Sequence, residues 1–221
     1  MVVGTERRRG HAAIGATEAL RSAIVGGDLL PGERLREEPL AAELQVSRNT
    51  LREAMRVLAH EGLIVHAANR GATVTVPTVE SIRDLYRVRR TVEVYTLRSA
   101  DPGQPAAARM RTAVDTAMAA AARDDWRAVG TGDLEFHRAI VALADSPRLD
   151  AVLQSLLAEL RLAFGVVDDA RALHAPFLAD NARILERFES GDSAGAASDL
   201  EDYLARSESL VVAAQAARAV R

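Results

Sequence analysis

The spacing of apolar residues divides the chain into two parts. Up to Val76 the apolar runs are short and are separated by turn signals that contain Gly or Pro. Beyond Pro77 they become long stretches in which apolar residues recur every three or four positions, as along one face of a helix. We therefore predict two domains, one over residues 1–76 and one over residues 77–221.

The first part has the element order of a winged helix-turn-helix. Its pattern predicts helices over residues 17–25 and 38–44, and a third helix that starts at Ser47 and runs to about residue 60. The runs LIVHA and ATVTV then flank the turn NRG and alternate as the strands of a hairpin do. Three helices followed by a hairpin are typical of winged DNA-binding domains.

The third helix carries cations at its beginning. The helical spacing predicts that its buried stripe consists of Leu51, Ala54, Met55 and Leu58. Ser47 is a suitable N-cap, and Arg48, Asn49 and Arg52 then face away from the core. Because the beginning of a helix already has a partial positive charge, arginines there indicate that an anion lies in front of them.

DNA is the anion that this arrangement fits. In such a fold the first turns of the third helix meet base edges and phosphates in the major groove. Arg48 and Arg52 can make bidentate contacts to guanine or phosphate, and Asn49 can pair with adenine. Thr50 can reach a phosphate or a thymine methyl group, and Arg70 at the hairpin tip can follow the minor groove or the backbone. The alternative is a solvated helix end, but cap, stripe, cations and hairpin together favour DNA binding.

The second part is predicted to be an all-α antiparallel bundle. The stop signals DPGQP, DSP and ESGD help to separate about six helices. These helices are predicted over residues 78–100, 106–123, 125–144, 148–164, 176–189 and 193–218. The fold class is therefore mainly α, with a winged helix-turn-helix followed by a helical bundle.

One pair of polar residues in the bundle has the spacing of metal ligands. Asp133 and His137 are four residues apart, so that a carboxylate oxygen and an imidazole nitrogen share one helix face. Such a pair alone is a weak signal, since a histidine on an apolar face is more often hydrogen-bonded within the core. Both alternatives stay open at this point.

Composition restricts the classes of partner. Residues 1–76 hold 10 Arg and 9 acidic residues, which leaves a charge of +1, so that contact with nucleic acid requires the positive charge to be concentrated on one face. The chain has no cysteine and no uncharged run of the roughly 20 residues that cross a bilayer. We expect a cytoplasmic protein without a membrane partner.

The first part also resembles a known family. The segment LLPGERLREEPLAAELQVSRNTLREAMRVLAHEGLIVHAANRGATV is similar to the DNA-binding domain of GntR-type bacterial transcription regulators. Where that family usually has Gly before the VSR motif, this chain has Gln45. The resemblance implies DNA contacts by Arg48, Asn49, Thr50, Arg52 and Gly71, with Arg36 close to another contact position.

The second part resembles the FadR-type ligand-binding domain, called the FCD domain. The similarity lies in LYRVRRTVE, GDLEFHRAIVALADS and ERFESGDSAGAASDLEDYL, and six helices place it nearer the VanR branch. Many FCD domains complete a metal site with two histidines on the last two helices, and those positions are Asn181 and Tyr203 here. The resemblance thus implies a zinc or nickel site at Asp133 and His137 with an incomplete set of ligands.

His174 is a candidate for the missing ligand. It lies seven residues before Asn181, about 10 Å along a continuous helix. We expect Pro176 to start a new helix after it, so that His174 would need a bent chain to reach the site. The alternative to metal binding at Asp133 and His137 is that this part of the bundle forms a cavity in which an anionic ligand is hydrogen-bonded directly.

Arg89 is the residue that the resemblance matches to the binding of a ligand carboxylate. The alternative is an ion pair with Glu93 one turn later. The effector site expected from the resemblance therefore consists of Arg89, Asp133, His137, Asn181 and Tyr203.

These expectations describe a ligand-responsive transcription regulator. One winged helix reads only a few base pairs, so we expect a homodimer that binds two half-sites of a pseudo-palindromic operator and responds to a small organic acid. A metal-dependent enzyme is the first alternative, but the chain lacks a nucleophile motif and a glycine-rich phosphate loop. The second alternative is an architectural DNA-binding protein without an effector.

Overall fold

A computed structural model describes residues 2–67 and 71–219 of the chain. These residues form two compact units, Met1–Val76 and Pro77–Arg221. The first unit is a winged helix-turn-helix and the second is a bundle of helices. In the first unit the elements are α1 (Val2–Gly26), β1 (Arg34–Leu35), α2 (Glu37–Glu43), α3 (Arg48–His60), β2 (Ile64–Ala67) and β3 (Gly71–Val74).

Helix α1 begins much earlier than the predicted start at residue 17. Back to Ala13 the extension follows from the buried stripe, since Ala13 and Ala16 are buried on the same face as Leu20 and Ile24. Small apolar residues at helical spacing let this helix continue along the core without an obvious hydrophobic pattern. The prediction placed the right kind of element there but made it too short.

The core of the first unit forms behind α3. Leu51, Ala54, Met55 and Leu58 are all fully buried, which confirms the stripe predicted from their spacing. The turn between α2 and α3 contains Gln45, whose φ of 53° lies in the left-handed region. That region costs an L-residue other than Gly roughly 1–2 kcal/mol, which explains why a Gly suits this position.

The wing has one strand more than predicted. Strands β2 and β3 pair antiparallel with Ile64 opposite Val74, as expected for a hairpin. The short strand β1 adds to the other edge of β3, with Leu35 opposite Ala72, so the sheet order is β1-β3-β2. Strand β1 is only two residues long, which is too short for an alternation of apolar and polar residues to predict it. Its pairing with β3 becomes visible only in the structure.

The described elements of the second unit are all helical. They are α4 (Val79–Arg89), a π-helical turn (Arg90–Val94), α5 (Tyr95–Ser99), α6 (Ala107–Ala121), α7 (Trp126–Ala142), α8 (Pro147–Phe164), α9 (Ala170–Glu189) and α10 (Ser193–Ala219). The first predicted helix of the bundle is thus α4 and α5 joined by a π turn. Among the described residues, no helix is long and apolar enough to span a membrane.

Helix α9 corrects one prediction. Pro176 does not start a new helix, because α9 already begins at Ala170, where Asp169 caps it by accepting a hydrogen bond from the backbone N–H of Ala172. Proline lacks an N–H group and therefore removes one hydrogen bond to the turn before it. Leu173 and Phe177 are buried on the inner face of the same helix, which holds it together around the proline.

Helix α7 lies at the centre of the bundle and is closely approached by α6. A Cβ atom on Gly132 would lie 2.8 Å from the Cβ atom of Ala117 and 3.3 Å from the backbone oxygen of Ala113. The two helices can meet at this distance only because neither has a larger side chain there.

We expect Gly132→Ala to destabilise the bundle by about 1–3 kcal/mol, because overpacking outweighs the gain of up to about 1 kcal/mol in helix propensity. The measurement is urea or thermal unfolding followed by circular dichroism. Gly15→Ala is the control, since Gly15 is also helical but has no heavy atom within 4 Å of an added Cβ. Equal or greater stability of Gly132→Ala would show that the helices separate easily.

Candidate functional site

The N-terminal turn of α3 is held by its cap. The Ser47 side chain accepts a hydrogen bond from the backbone N–H of Thr50 at 3.1 Å, and the two hydroxyl groups lie 2.8 Å apart. This confirms the predicted cap and sets the direction in which the first residues of the helix project. Thr50 itself is buried, at 8% exposure, so its contact with DNA stays a prediction.

The two arginines of the predicted interface are exposed and paired with acidic residues of α2. An Nη atom of Arg48 lies 2.8 Å from Glu38, and the Nε of Arg52 lies 2.8 Å from Glu37. The side chains of Arg48 and Arg52 are 61% and 55% exposed. Exposed ion pairs contribute at most about 1 kcal/mol, so a phosphate or a guanine can replace these carboxylates.

The other predicted contact residues surround this surface or lie outside the described part. Asn49 and Arg36 are exposed, Asn49 on the first turn of α3 and Arg36 directly before α2. Gly71 begins β3 with a φ of 77°, a left-handed value that favours glycine at the end of the wing turn. Arg70 lies outside the described residues.

A second group of polar residues is buried in the bundle, and we call it the buried polar cluster. Four helices and the π turn contribute to it, and each residue is at most 4% exposed. Its members are Arg89 on α4, Glu93 on the π turn, Asp133 and His137 on α7, Asn181 on α9 and Tyr203 on α10. The structure thus brings all five residues predicted for the effector site into one bundle core and adds Glu93.

Glu93 links a guanidinium to an imidazole. The Nε of Arg89 donates to one oxygen of Glu93 at 2.7 Å, and the other oxygen of Glu93 lies 2.6 Å from the Nδ1 of His137. Burial alone would raise the pKa of Glu93, but the charge of Arg89 and the contact with His137 lower the pKa to about 2. The carboxylate is therefore charged, and it orients both neighbours.

Asp133 is held by two hydrogen-bond donors. The amide nitrogen of Asn181 and the hydroxyl of Tyr203 both donate to Oδ1 of Asp133 at 2.8 Å. Burial favours a higher pKa of Asp133, but His137, His174 and these two hydrogen bonds lower the pKa below its ordinary value. Burial and the nearby Asp133 charge raise the pKa of Tyr203 well above the usual range, so its hydroxyl keeps its proton.

Several atoms of the buried polar cluster have no hydrogen-bond partner among the described residues. They are Nη1 and Nη2 of Arg89, Oδ2 of Asp133, Nε2 of His137 and Oδ1 of Asn181. Leaving a buried donor or acceptor unpaired costs about 1–3 kcal/mol each. So many unpaired atoms in one place indicate that a bound molecule, water or ligand, supplies their partners.

The unpaired atoms of the buried polar cluster can be compared with the ligands that a metal ion requires. A cation would meet one carboxylate oxygen, one imidazole nitrogen and one amide oxygen, while zinc and nickel sites are richer in imidazole or thiolate. The Tyr203 hydroxyl donates its proton to Asp133 and is not an anionic ligand. Among the described residues, no three His, Cys, Asp or Glu residues are placed to hold a metal together. The cluster therefore fits zinc or nickel poorly.

His174 lies near the cluster without completing a metal site. It is buried at 5% exposure on α9, against Phe164, with ring centres 5.1 Å apart. Burial and the charge of Arg161 lower the pKa of His174, although Asp133 acts in the opposite direction. An added Cβ on Gly130 would lie 2.5 Å from its Nε2, so α7 and α9 pack closely here.

Glu93 was considered in the sequence only as the alternative partner of Arg89. The ion pair is present, but Glu93 occupies only the Nε of Arg89 and leaves both Nη atoms available. The two interpretations of Arg89 are therefore compatible. Its four-residue spacing from Glu93 was the signal for this pair, whereas nothing in the spacing pointed to His137 as the second neighbour of Glu93.

Comparison with known proteins places the chain in a family. The profile of the bacterial regulatory proteins of the gntR family matches residues 14–74, and the FCD domain profile matches residues 84–206. A putative GntR transcriptional regulator from Rhodococcus sp. RHA1 is 39% identical, covers 94% of this chain and 98% of its own, and superposes with a TM-score of 0.86. The chain therefore belongs to the GntR family of bacterial transcription regulators and carries an FCD domain.

Two further relatives extend this comparison. The Nta operon transcriptional regulator of Aminobacter aminovorans is 31% identical over 143 residues, which are 60% of this chain and 64% of that protein. The structure of E. coli McbR/YncC is 18% identical, covers 90% of this chain and 96% of its own, and has a TM-score of 0.77, which shows a shared fold. The Rhodococcus and Aminobacter proteins are named as transcriptional regulators, and the family is one of regulators rather than enzymes.

We expect the stability of the bundle to depend on Glu93 at acidic pH. Since its pKa is lowered from 4.5 to about 2, its charge contributes stability above pH 4.5 that is lost as the pH falls towards 2. Glu93→Gln should flatten this part of the pH profile and lower stability at neutral pH by about 3–5 kcal/mol, because Arg89 loses its counter-charge. Thermal unfolding between pH 2 and 7 measures both effects.

The matched control is Glu201→Gln, which changes an exposed glutamate of α10. It should keep the wild-type dependence on pH. An unchanged slope in Glu93→Gln would show that Glu93 does not carry the acid sensitivity.

Proposed function

We propose that this regulator binds a pseudo-palindromic operator as a homodimer and that a small carboxylate metabolite in the bundle changes its affinity for DNA. In this proposal residues 1–76 bind DNA, residues 77–221 bind the effector and form the dimer, and the protein acts in the cytoplasm. The observation that carries the proposal is the buried polar cluster with its unpaired Nη atoms of Arg89. An architectural protein would have no use for such a site.

The DNA contacts in the proposal start from the first turns of α3. Arg48, Asn49 and Arg52 read base edges and phosphates, while Arg36, Thr50, Arg70 and Gly71 contact the backbone or the neighbouring groove. Arg48 and Arg52 are exposed and exchange Glu38 and Glu37 for DNA. The exchange replaces a contact between an arginine and a carboxylate by a contact between the same arginine and DNA. Because the exposed ion pair that is lost is weak, the exchange costs little free energy.

The effector contacts start from Arg89. Its two unpaired Nη atoms are donors in the fork geometry that suits a carboxylate. Asp133, His137, Asn181 and Tyr203 complete the effector site on the facing helices. Because α4, α7, α9 and α10 all contribute, a ligand that bridges them changes the relative stability of bundle conformations, with a coupling to DNA of about 1–3 kcal/mol.

We expect Arg48→Ala and Arg52→Ala each to weaken operator binding by about 1–3 kcal/mol, since each removes a bidentate contact. The operator is first selected from random duplexes with the wild-type protein, and affinity is measured by fluorescence anisotropy at fixed salt. Arg98→Ala, which changes an exposed arginine of the bundle, is the control. Wild-type affinity in both α3 variants would refute the assignment of this helix to base recognition.

Zinc or nickel is the second candidate partner of the effector site, because the unpaired acceptor atoms would attract a cation and the FCD resemblance implies a metal. With a single imidazole we expect the metal content after reloading and dialysis to stay well below one ion per chain. Elemental analysis of untagged protein, before and after chelation, tests this. Near-stoichiometric metal that disappears in the Asp133→Ala, His137→Ala double variant would mean that Asn181, Tyr203 or water completes a metal site.

A further inference from the structure

The unpaired atoms of the buried polar cluster specify more than a carboxylate. Arg89 contributes two unpaired donor atoms, and Asp133 and Asn181 contribute two unpaired acceptor oxygens. Nε2 of His137 is also unpaired, and it is a third acceptor in the neutral tautomer that carries its proton on Nδ1, towards the Glu93 carboxylate. A ligand that satisfies all five must accept hydrogen bonds at one end and donate hydrogen bonds at the other. A simple carboxylate has acceptors only and would leave the acceptor side unpaired.

The acceptor side is compact enough for one donor group. Nε2 of His137 lies 3.9 Å from Oδ1 of Asp133, so the imidazole and the carboxylate that carries the unpaired Oδ2 lie side by side. The amide of Asn181 lies at the same carboxylate, with its nitrogen 2.8 Å from Oδ1 of Asp133. Oδ1 is already occupied by Asn181 and Tyr203, which leaves Oδ2 for the ligand.

The buried charges point in the same direction. Arg89 and Glu93 form an ion pair and neutralise each other, while Asp133 is contacted by the neutral donors Asn181 and Tyr203 and lies 3.9 Å from the imidazole of His137. A lone carboxylate ligand would add a second uncompensated negative charge to the core, which is costly without a cation. A ligand with both a carboxylate and an ammonium group adds no net charge and brings a counter-charge to Asp133.

We propose that the effector is a small zwitterionic amino acid, bound without a metal, whose carboxylate lies on the Nη atoms of Arg89 and whose ammonium group donates to Asp133, His137 and Asn181. An ammonium group has three N–H donors, which equals the number of unpaired acceptors. Asn181 and Tyr203, which stand where the resemblance implies histidines, act here as donors that fix Asp133. This inference rests on the proposed effector site and specifies its ligand class.

The test is isothermal titration calorimetry with the full-length, chelator-treated protein. The probes are the proteinogenic L-amino acids, β-alanine and γ-aminobutyrate, and each amino acid that binds is compared with the hydroxy acid and the unsubstituted acid of the same carbon skeleton. For L-alanine these are L-lactate and propionate. We expect at least one amino acid to bind, its matched acids to bind about tenfold more weakly or worse, and added zinc or nickel to leave the affinities unchanged.

Asp133→Asn separates the role of the charge from that of the shape. It should weaken amino acid binding about tenfold or more, while binding of the matched unsubstituted acid stays the same or improves, because the acid no longer faces a buried carboxylate. Asp180→Asn is the control, since Asp180 is similarly buried on α9 but pairs with Arg183 and Arg206 outside the cluster. Asn181→Ala replaces Asp133→Asn if that variant unfolds. It removes the unpaired amide oxygen together with the hydrogen bond to Oδ1 of Asp133, and it should weaken amino acid binding more than binding of the matched acid.

The outcomes distinguish this inference from the proposed function. If the matched acids bind as tightly as the amino acid, or if acids bind only after zinc or nickel is added, the ammonium assignment is wrong and the carboxylate effector stands. If no amino acid in the panel binds but an acid does, the ammonium assignment is again wrong and the carboxylate effector again stands. If neither class binds with or without metal, both the ligand class and the effector site are wrong.

Discussion

The bundle is organised around a guanidinium that is almost completely removed from water. Arg89 is 1% exposed, and a charge in that environment requires a counter-charge and hydrogen-bond partners. Glu93 on the π turn provides the counter-charge and a hydrogen-bond partner for Nε of Arg89, and its second oxygen fixes the imidazole of His137 on α7. The relative positions of α4 and α7 therefore depend on this chain of contacts as well as on apolar packing.

A second set of contacts ties the remaining helices to the same place. Asn181 from α9 and Tyr203 from α10 converge on Asp133, and Tyr86 of α4 lies 2.6 Å from Ser207 of α10 through their hydroxyl groups. Such a network is costly when it is incomplete, because each unpaired atom loses its interaction with water. A molecule that completes the network stabilises the arrangement of helices to which it binds, and this is the physical basis of the proposed regulation by a ligand.

The winged helix depends on exposed charges and local interactions, whereas the bundle depends on buried contacts between helices. Arg48 and Arg52, the two arginines proposed to read DNA, are exposed, and acidic residues of α2 compensate their charges in a way that DNA can replace. Local features decide the geometry of the winged helix: the Ser47 cap, the four fully buried residues of α3 and the left-handed Gln45 in the turn before the helix. All of these act over a few residues, and this is why the motif could be recognised in the sequence.

The sequence by itself determined the fold class, the winged helix and the helical bundle, since periodicity and capping are local properties of the chain. It also pointed to Asp133 and His137 through their spacing, and to Arg89, Asn181 and Tyr203 through resemblance. Only the tertiary structure decided how these residues meet: that Glu93 bridges Arg89 and His137, that Asn181 and Tyr203 hold Asp133, and that α9 continues through Pro176. These contacts join residues that lie on different helices, and the geometry that selects donors, acceptors and a ligand arises only when the helices pack.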